Sequence, residues 1–202
     1  CMPTKALLRP THALAAARRV PGAREAVTGG VNAAAAFAFR DGAAANWDDS
    51  GQVTWLEGAD IALVRGHGRL AGERTVEATG DDGAVISLTA KHAVAICTGS
   101  IPVVPGTPGL AAARPWTNRE AIATSDVPGR LAVIGGGVVA SEFATAFAAL
   151  GSDVTVVVRG DGLLGGLEPF AGERVAAALT EAGVDVRLHT SVAGVERPGS
   201  VS

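Results

Sequence analysis

The segment LAVIGGGVVASE, residues 131–142, constrains the fold more than any other part of the sequence. Gly135, Gly137 and Ala140 follow the spacing G-x-G-x-x-G/A, directly after an apolar run and at the predicted start of a helix. In this pattern the first glycine allows a tight turn, and the second lets backbone N–H groups approach a pyrophosphate. The small third residue lets the helix pack closely on the strand. The segment therefore predicts a loop that binds a dinucleotide at a helix N-terminus.

The residues around this loop have the alternating order of a parallel α/β unit. Strands are predicted at 131–134, 154–158 and 184–188, and helices at 138–150 and 171–182. A glycine, Gly151 or Gly183, follows each helix, which is typical of a helix end. Alternating strands and helices imply parallel pairing with crossover helices. This context favours a nucleotide site over a simple glycine-rich turn.

The first half of the chain has a different pattern. A helix is predicted over 3–26, kinked or divided at Pro10 and at 20–22, and a second helix over 33–45. Short β-like runs then follow at 61–65, 74–78, 85–89 and 93–97. A hairpin turn at 81–83 indicates an antiparallel meander, and the proline-rich segment 101–115 is typical of a linker.

The composition narrows the class of protein. The 202 residues are 48% hydrophobic and carry a net charge of −3, whereas a nucleic-acid surface needs an excess of basic residues. No apolar run approaches the roughly 18 residues of a membrane span. Cys1, Cys97 and the four histidines lack the spacing of a zinc site. We therefore expect a soluble cytoplasmic protein with no nucleic-acid partner, no membrane partner and no bound metal.

Three motifs together carry a resemblance to a known family. CMPTK at residues 1–5, ICTGS at 96–100 and GGGVVASE at 135–142 occur in this order along the chain. The combination resembles the pyridine nucleotide-disulfide oxidoreductases, a family that includes dihydrolipoamide dehydrogenase, glutathione reductase and mercuric reductase. The redox pair of that family is C-x4-C-x-P-[ST]-K, and CMPTK matches its second half.

The resemblance implies roles for individual residues. Cys1 matches the flavin-proximal cysteine, and a helix N-terminus stabilises a thiolate there. Lys5 matches a lysine that lies over the flavin and pairs with a glutamate. Glu142 occupies the place of that glutamate. Cys1, Lys5 and Glu142 are therefore the implied catalytic group. The implied FAD contacts are Lys5, Gly68, Thr98, Gly99 and Ser100. The implied contacts of the second nucleotide are Gly135, Gly136, Gly137, Val138, Val139, Ala140, Ser141, Glu142, Val158 and Arg159.

The resemblance also implies a fold class and an organisation. The class is α/β, with two Rossmann-like nucleotide-binding domains, of which this chain holds parts. Residues 1–112 would be the C-terminal part of an FAD-binding domain with an antiparallel meander, and 113–202 the N-terminal part of an NAD(P)-binding domain with a parallel sheet. We expect an internal piece of a longer homodimeric enzyme, inactive by itself. The enzyme would maintain redox balance by passing electrons from NAD(P)H through FAD to a small-molecule or small-protein disulfide.

The expected nucleotide is NADP, with NAD as the alternative. An acidic residue that binds the ribose 2′-hydroxyl marks NAD sites, and its position falls on Val158. Arg159 follows and could bind a 2′-phosphate, although it could also point to solvent, and Asp161 could serve the ribose.

Two other classes of function stay open: a flavin-free NAD(P)-dependent dehydrogenase and a nucleotide-sensing module. The CMPTK and ICTGS motifs favour the flavoprotein.

Overall fold

A computed structural model of the chain describes residues 1–196, in two compact units. One unit comprises residues 1–47 and 102–196, and the other comprises residues 48–101. The domain boundary predicted at residue 112 is not tested by this division and stays a prediction. Residues 197–202 of the second predicted domain lie outside the described residues.

The helices and strands have the following bounds. The helices are α1 (Met2–Arg19), α2 (Ala33–Ala43), α3 (Ser50–Gly58), α4 (Asn118–Ala123), α5 (Val138–Leu150) and α6 (Pro169–Glu181). The strands are β1 (His67–Gly72), β2 (Thr75–Thr79), β3 (Val85–Thr89), β4 (Arg130–Ile134), β5 (Asp153–Val157) and β6 (Asp185–Arg187). Short 3₁₀ turns occur at Arg24–Ala26 and Ala45–Trp47.

The larger unit contains the predicted parallel sheet. Its strand order is β4-β5-β6, and both pairs are parallel, with Val133 opposite Val156 in the first pair. Helix α5 begins and ends at the predicted residues, and Gly151 ends it in the left-handed region at φ 106°. The alternation of strands and helices predicted from the sequence is therefore confirmed in this unit.

The core of the larger unit joins the first helices to the parallel sheet. Helix α1 packs on α2 and on α5, and all three contribute buried residues to one cluster with β5. Its members include Leu7, Phe37, Phe143, Phe147, Val154 and Val156. Pro10 does not divide α1, which continues through it to Arg19, whereas the predicted division at residues 20–22 is confirmed. The buried Leu7 and Leu8 hold this helix against its neighbours despite the hydrogen bond that proline cannot make.

The smaller unit contains the predicted antiparallel meander. Its strand order is β1-β2-β3, and Gly83 at φ 80° forms the predicted hairpin turn between β2 and β3. The strands predicted at 61–65 and 93–97 are wrong, because neither run pairs with another described strand. An apolar run becomes a strand only where a partner supplies the ladder hydrogen bonds. Residues 50–58 instead form α3, and β1 forms at 67–72.

Gly66 lies where β1 begins, and its position requires a glycine. Its φ is 150°, which side chains rarely adopt, and a Cβ there would lie 2.6 Å from the Thr79 carbonyl oxygen. The backbone of β1 therefore approaches the end of β2 more closely than any other residue type would permit. Sequence spacing alone gave no signal for this requirement.

Candidate functional site

The glycine loop connects β4 to α5 in the larger unit. Gly135 has a φ of 117°, and its N–H donates to the Val157 carbonyl at 2.9 Å, so the turn follows directly from the sheet. Gly137 is the N-terminal cap of α5 and offers no side chain, and a Cβ built there would meet nothing within 4 Å. The two glycines of the motif therefore provide a left-handed turn and an open approach to the helix end.

The start of α5 presents unused hydrogen-bond donors. The first intrahelical donor is the Ser141 N–H, which bonds the Gly137 carbonyl at 3.0 Å. The N–H groups from Gly137 to Ala140 have no acceptor among residues 1–196. Val138 and Val139 are about half exposed, whereas the buried Ser141 hydroxyl donates to Gly137. A helix N-terminus with free donors favours anionic oxygens, so the loop fits a pyrophosphate.

The end of β5 is the predicted ribose position. Val158 is buried, its N–H donates to the Arg187 carbonyl, and its own carbonyl accepts from the Thr190 N–H, both at 2.9 Å. It therefore has no polar group to offer a ribose hydroxyl. Arg159 is exposed and has no carboxylate within ion-pair distance among the described residues. A guanidinium in this state is available to an added phosphate.

Cys1 caps the N-terminus of α1 and is exposed as a free thiol. The Lys5 N–H donates to the Cys1 carbonyl at 3.1 Å, which places the cysteine directly at the first turn. The helix dipole at this end stabilises negative charge, including a thiolate.

Lys5 and Glu142 connect the start of α1 to the start of α5. The Lys5 ammonium forms an ion pair with the Glu142 carboxylate, although the two residues are 137 positions apart in sequence. The contact expected from the sequence is therefore present. Because both residues lie near the N-termini of their helices, this pair brings the helix that follows Cys1 beside the helix that follows the glycine loop.

The residues predicted to contact FAD lie mainly in the smaller unit. Gly68 is exposed in β1, where it pairs with Ala78. The segment from Thr98 to Ser100 is exposed and forms neither a helix nor a strand, and Gly99 has a φ of 68°. An exposed segment with hydroxyls and a left-handed glycine fits a cofactor that contacts backbone. Their roles stay predictions.

A cavity of about 620 Å³ adjoins the glycine loop within the larger unit. Apolar residues dominate its lining, which includes Gly135, Gly137 and Val139 of the glycine loop and the start of α5. Thr117 and Asn118 add polar groups at the start of α4, a contribution that sequence reasoning missed. The capping-box pattern T-x-x-E at residues 117–120 marks that helix start and could have indicated it.

Among residues 1–196, no helix is both long enough and apolar enough to cross a membrane. The same part of the chain has no group of three metal-ligating side chains arranged to hold an ion.

Comparison of sequences links the whole chain to one family. Residues 1–202 match the family described as pyridine nucleotide-disulphide oxidoreductase. The chain is 34% identical over 198 residues to a mercuric reductase of Shigella flexneri, covering 96% of the chain and 35% of that protein. It is 33% identical to a mercuric reductase of Acidithiobacillus ferrooxidans, covering 96% of the chain and 36% of that protein. The chain thus spans about a third of the length of these relatives.

Comparison of structures gives the same fold. The HOCl-induced flavoprotein disulfide reductase RclA of Escherichia coli, solved as a Cu(II) complex, matches with a TM-score of 0.75 at 19% identity. That match covers 98% of this chain and 41% of RclA. LpdA of Mycobacterium tuberculosis matches with a TM-score of 0.75 at 23% identity, covering 99% of this chain and 44% of LpdA.

Proposed function

The chain belongs to the pyridine nucleotide-disulphide oxidoreductase family, and on that premise we propose that the whole protein is an FAD-dependent oxidoreductase acting on sulfur. Electrons would pass from a pyridine nucleotide at the glycine loop to a disulfide that includes Cys1. The observation that carries the proposal is the ion pair between Lys5 and Glu142. It joins the N-terminal parts of the two helices that follow the thiol and the nucleotide loop.

The residues of this chain have distinct tasks in the proposed reaction. When bound, FAD would accept a hydride from the nucleotide and deliver two electrons to the disulfide. The S–S bond would break, Cys1 would be left as a thiolate, and the other sulfur of the pair would take up the proton released from the transferred hydride and become a thiol. The N-terminus of α1 would stabilise the Cys1 thiolate. Gly68 and the segment 98–100 would contact the FAD.

We also propose NADPH as the preferred nucleotide. Val158 has no group that repels a 2′-phosphate, and the exposed Arg159 can bind one through charge-assisted hydrogen bonds. NADH would remain a substrate if Asp161 served the ribose instead. In the full-length enzyme, kcat/KM should be higher for NADPH, and Arg159→Ala should reduce that preference. Equal kcat/KM values for the two nucleotides in the wild type would contradict this part of the proposal.

The electron acceptor has two candidates. The family as a whole favours a disulfide of a small molecule or small protein, such as lipoamide, the disulfide whose reduction gives dihydrolipoamide. The names of the relatives at 33–34% identity favour the mercuric ion instead. NADPH oxidation with a disulfide acceptor and NADPH oxidation with mercuric ion should be assayed side by side on the full-length protein.

We also propose a cytoplasmic homodimer, with residues 1–112 in its FAD-binding domain and 113–202 in its NAD(P)-binding domain.

A matched pair of cysteine variants tests the proposed function. In the full-length protein, Cys1→Ser should abolish NADPH oxidation coupled to either acceptor while FAD stays bound. Cys97→Ser should behave as the wild type, because Cys97 is not the N-terminal cap of a helix and lies in a segment that is neither helix nor strand. NADPH should also make Cys1 reactive toward iodoacetamide, which mass spectrometry detects. A colourless protein without FAD would favour the flavin-free dehydrogenase, and full activity in Cys1→Ser would exclude the redox role.

A further inference from the structure

The segment that follows β5, residues 159–167, contacts the glycine loop directly. The Leu164 N–H donates to the Gly136 carbonyl at 2.7 Å. The buried Leu163 side chain fills the space next to Gly136, where an added Cβ would lie 3.1 Å from its Cδ2. Leu164 has a φ of 54°, in the left-handed region that leucine rarely adopts. The backbone thus holds an unfavourable conformation at the residue that makes this bond.

This bond has a geometric consequence for the nucleotide loop. A trans peptide is planar, and its C=O and N–H point in opposite directions. The peptide between Gly136 and Gly137 is trans. Because Leu164 binds the carbonyl of that peptide, the Gly137 N–H must point away from the segment. Gly137 is the open cap of α5, so its N–H belongs to the donors available to a pyrophosphate.

The other side of the segment is held by α6. A Cβ built on Gly172 would lie well inside van der Waals distance of the Leu163 carbonyl oxygen. Leu163 is therefore fixed between the glycine loop and the first turn of α6. Arg159 begins the same segment, so one piece of backbone connects the predicted ribose position to the predicted pyrophosphate position.

We propose that Leu163 and Leu164 are positioning residues for the pyridine nucleotide. They orient the donor groups of the glycine loop and fix the segment that begins with Arg159. The proposal rests on the nucleotide site proposed above and adds residues that the glycine spacing does not mark. It predicts that loosening this segment weakens nucleotide binding before it affects the flavin or the catalytic rate.

The test compares two leucines of one segment in the full-length FAD-loaded enzyme. Leu163→Ala removes the buried contact, and Leu167→Ala is its control because Leu167 is 54% exposed. Calorimetric titration with NADP⁺ should show a Kd about tenfold higher for Leu163→Ala, equivalent to about 1.4 kcal/mol. Leu167→Ala should match the wild type. The KM for NADPH should rise with the Kd, while kcat and FAD content should stay within about twofold.

The outcomes separate this proposal from the proposed function. A lower melting temperature for Leu163→Ala with unchanged Kd and KM would mean that Leu163 only supports the core, and would overturn the inference alone. A wild type that binds neither NADP⁺ nor NAD⁺ would overturn both proposals. If Leu163→Ala does not fold, Leu163→Val should raise the Kd in the same direction by a smaller factor. An unchanged Kd in Leu163→Val would also overturn the inference.

Discussion

Substitution of glycine by alanine should destabilise the protein in helix α6 and stabilise it in helix α2. Gly172 lies inside α6 and Gly42 inside α2. Glycine-to-alanine changes in helix interiors normally stabilise a protein by about 0.5–1 kcal/mol, since alanine loses less conformational entropy on folding. A Cβ on Gly42 would meet nothing within 4 Å, so Gly42→Ala should show this ordinary gain.

Gly172→Ala should reverse the sign because its Cβ meets backbone. The new methyl group would overlap the Leu163 carbonyl oxygen and stand 3.1 Å from the carbonyl carbon. A backbone carbonyl cannot rotate away as a side chain can, so α6 or the segment 159–167 must shift. Overpacking of this kind costs about 1–3 kcal/mol. After the helix-propensity gain is subtracted, we expect a net loss of about 1–2 kcal/mol.

Thermal unfolding of the two variants, monitored by circular dichroism, measures the difference. For a chain of this size each kcal/mol moves the melting temperature by about 2–4 °C. Gly42→Ala should therefore melt above the wild type and Gly172→Ala below it, with about 5–10 °C between the variants. If Gly172→Ala stabilises the protein as much as Gly42→Ala does, the close approach of α6 to Leu163 is wrong.

Three further predictions concern other parts of the fold. Arg40 is buried, pairs with Asp41 at 2.7 Å and donates to the Thr124 carbonyl at 2.6 Å. Arg40→Met should therefore lower the free energy of unfolding, measured with urea, by about 2–3 kcal/mol. Hydrogen bonding from Arg40 lowers the pKa of Asp41 in the folded protein. The stability that Asp41 contributes is therefore fully present above its unfolded pKa of about 3.9. It is lost as the pH falls through the lower pKa of the folded state. The stability difference between wild type and Asp41→Asn should shrink over that range and should be constant from about pH 5 to 7. Gly66→Ala should destabilise the smaller unit by about 1–3 kcal/mol in hydrogen exchange, whereas Gly58→Ala in α3, where a Cβ meets open space, should not.

The parallel sheet could be predicted from the sequence because several local signals agreed there. The glycine spacing, the valine-rich runs and the glycines that end α5 and α6 all required the same alternation of elements. Each signal acts over fewer than about 15 residues, so no distant contact was needed to interpret it. The start and end of α5 were predicted to the residue for this reason.

The strand predictions in the smaller unit failed where the pattern was only apolar. Residues 61–65 and 93–97 have the composition of strands, but a strand also needs a neighbour for its hydrogen bonds. The meander succeeded because the turn at Gly83 supplies that neighbour locally. A partner distant in sequence leaves no trace in the composition of a five-residue run.

The candidate site shows the same division between local and distant information. The loop residues followed from spacing, whereas the pairing of Lys5 with Glu142 followed only from the family resemblance. Arg40 gave no signal at all, because a charged residue in an alanine-rich helix is ordinarily exposed. Its burial depends on Thr124, 84 residues away, and on the Phe37 ring 4.8 Å from its guanidinium carbon. Contacts of this range are set by tertiary packing.

The energetics of the Lys5–Glu142 pair explain why it indicates function more than stability. The Lys5 side chain is 59% exposed, and pairs this exposed contribute about 0–1 kcal/mol. A lysine in the first turn of a helix is also disfavoured by the helix dipole. Glu142 offsets that cost for Lys5, but two helix N-termini remain at this end of the unit with their positive partial charges. A contribution to stability does not explain why the Lys5 ammonium lies where α1 and α5 both begin. The resulting excess of positive potential explains it if the groups that bind or react at this end are anionic, as a pyrophosphate at the glycine loop and a thiolate at Cys1 both are.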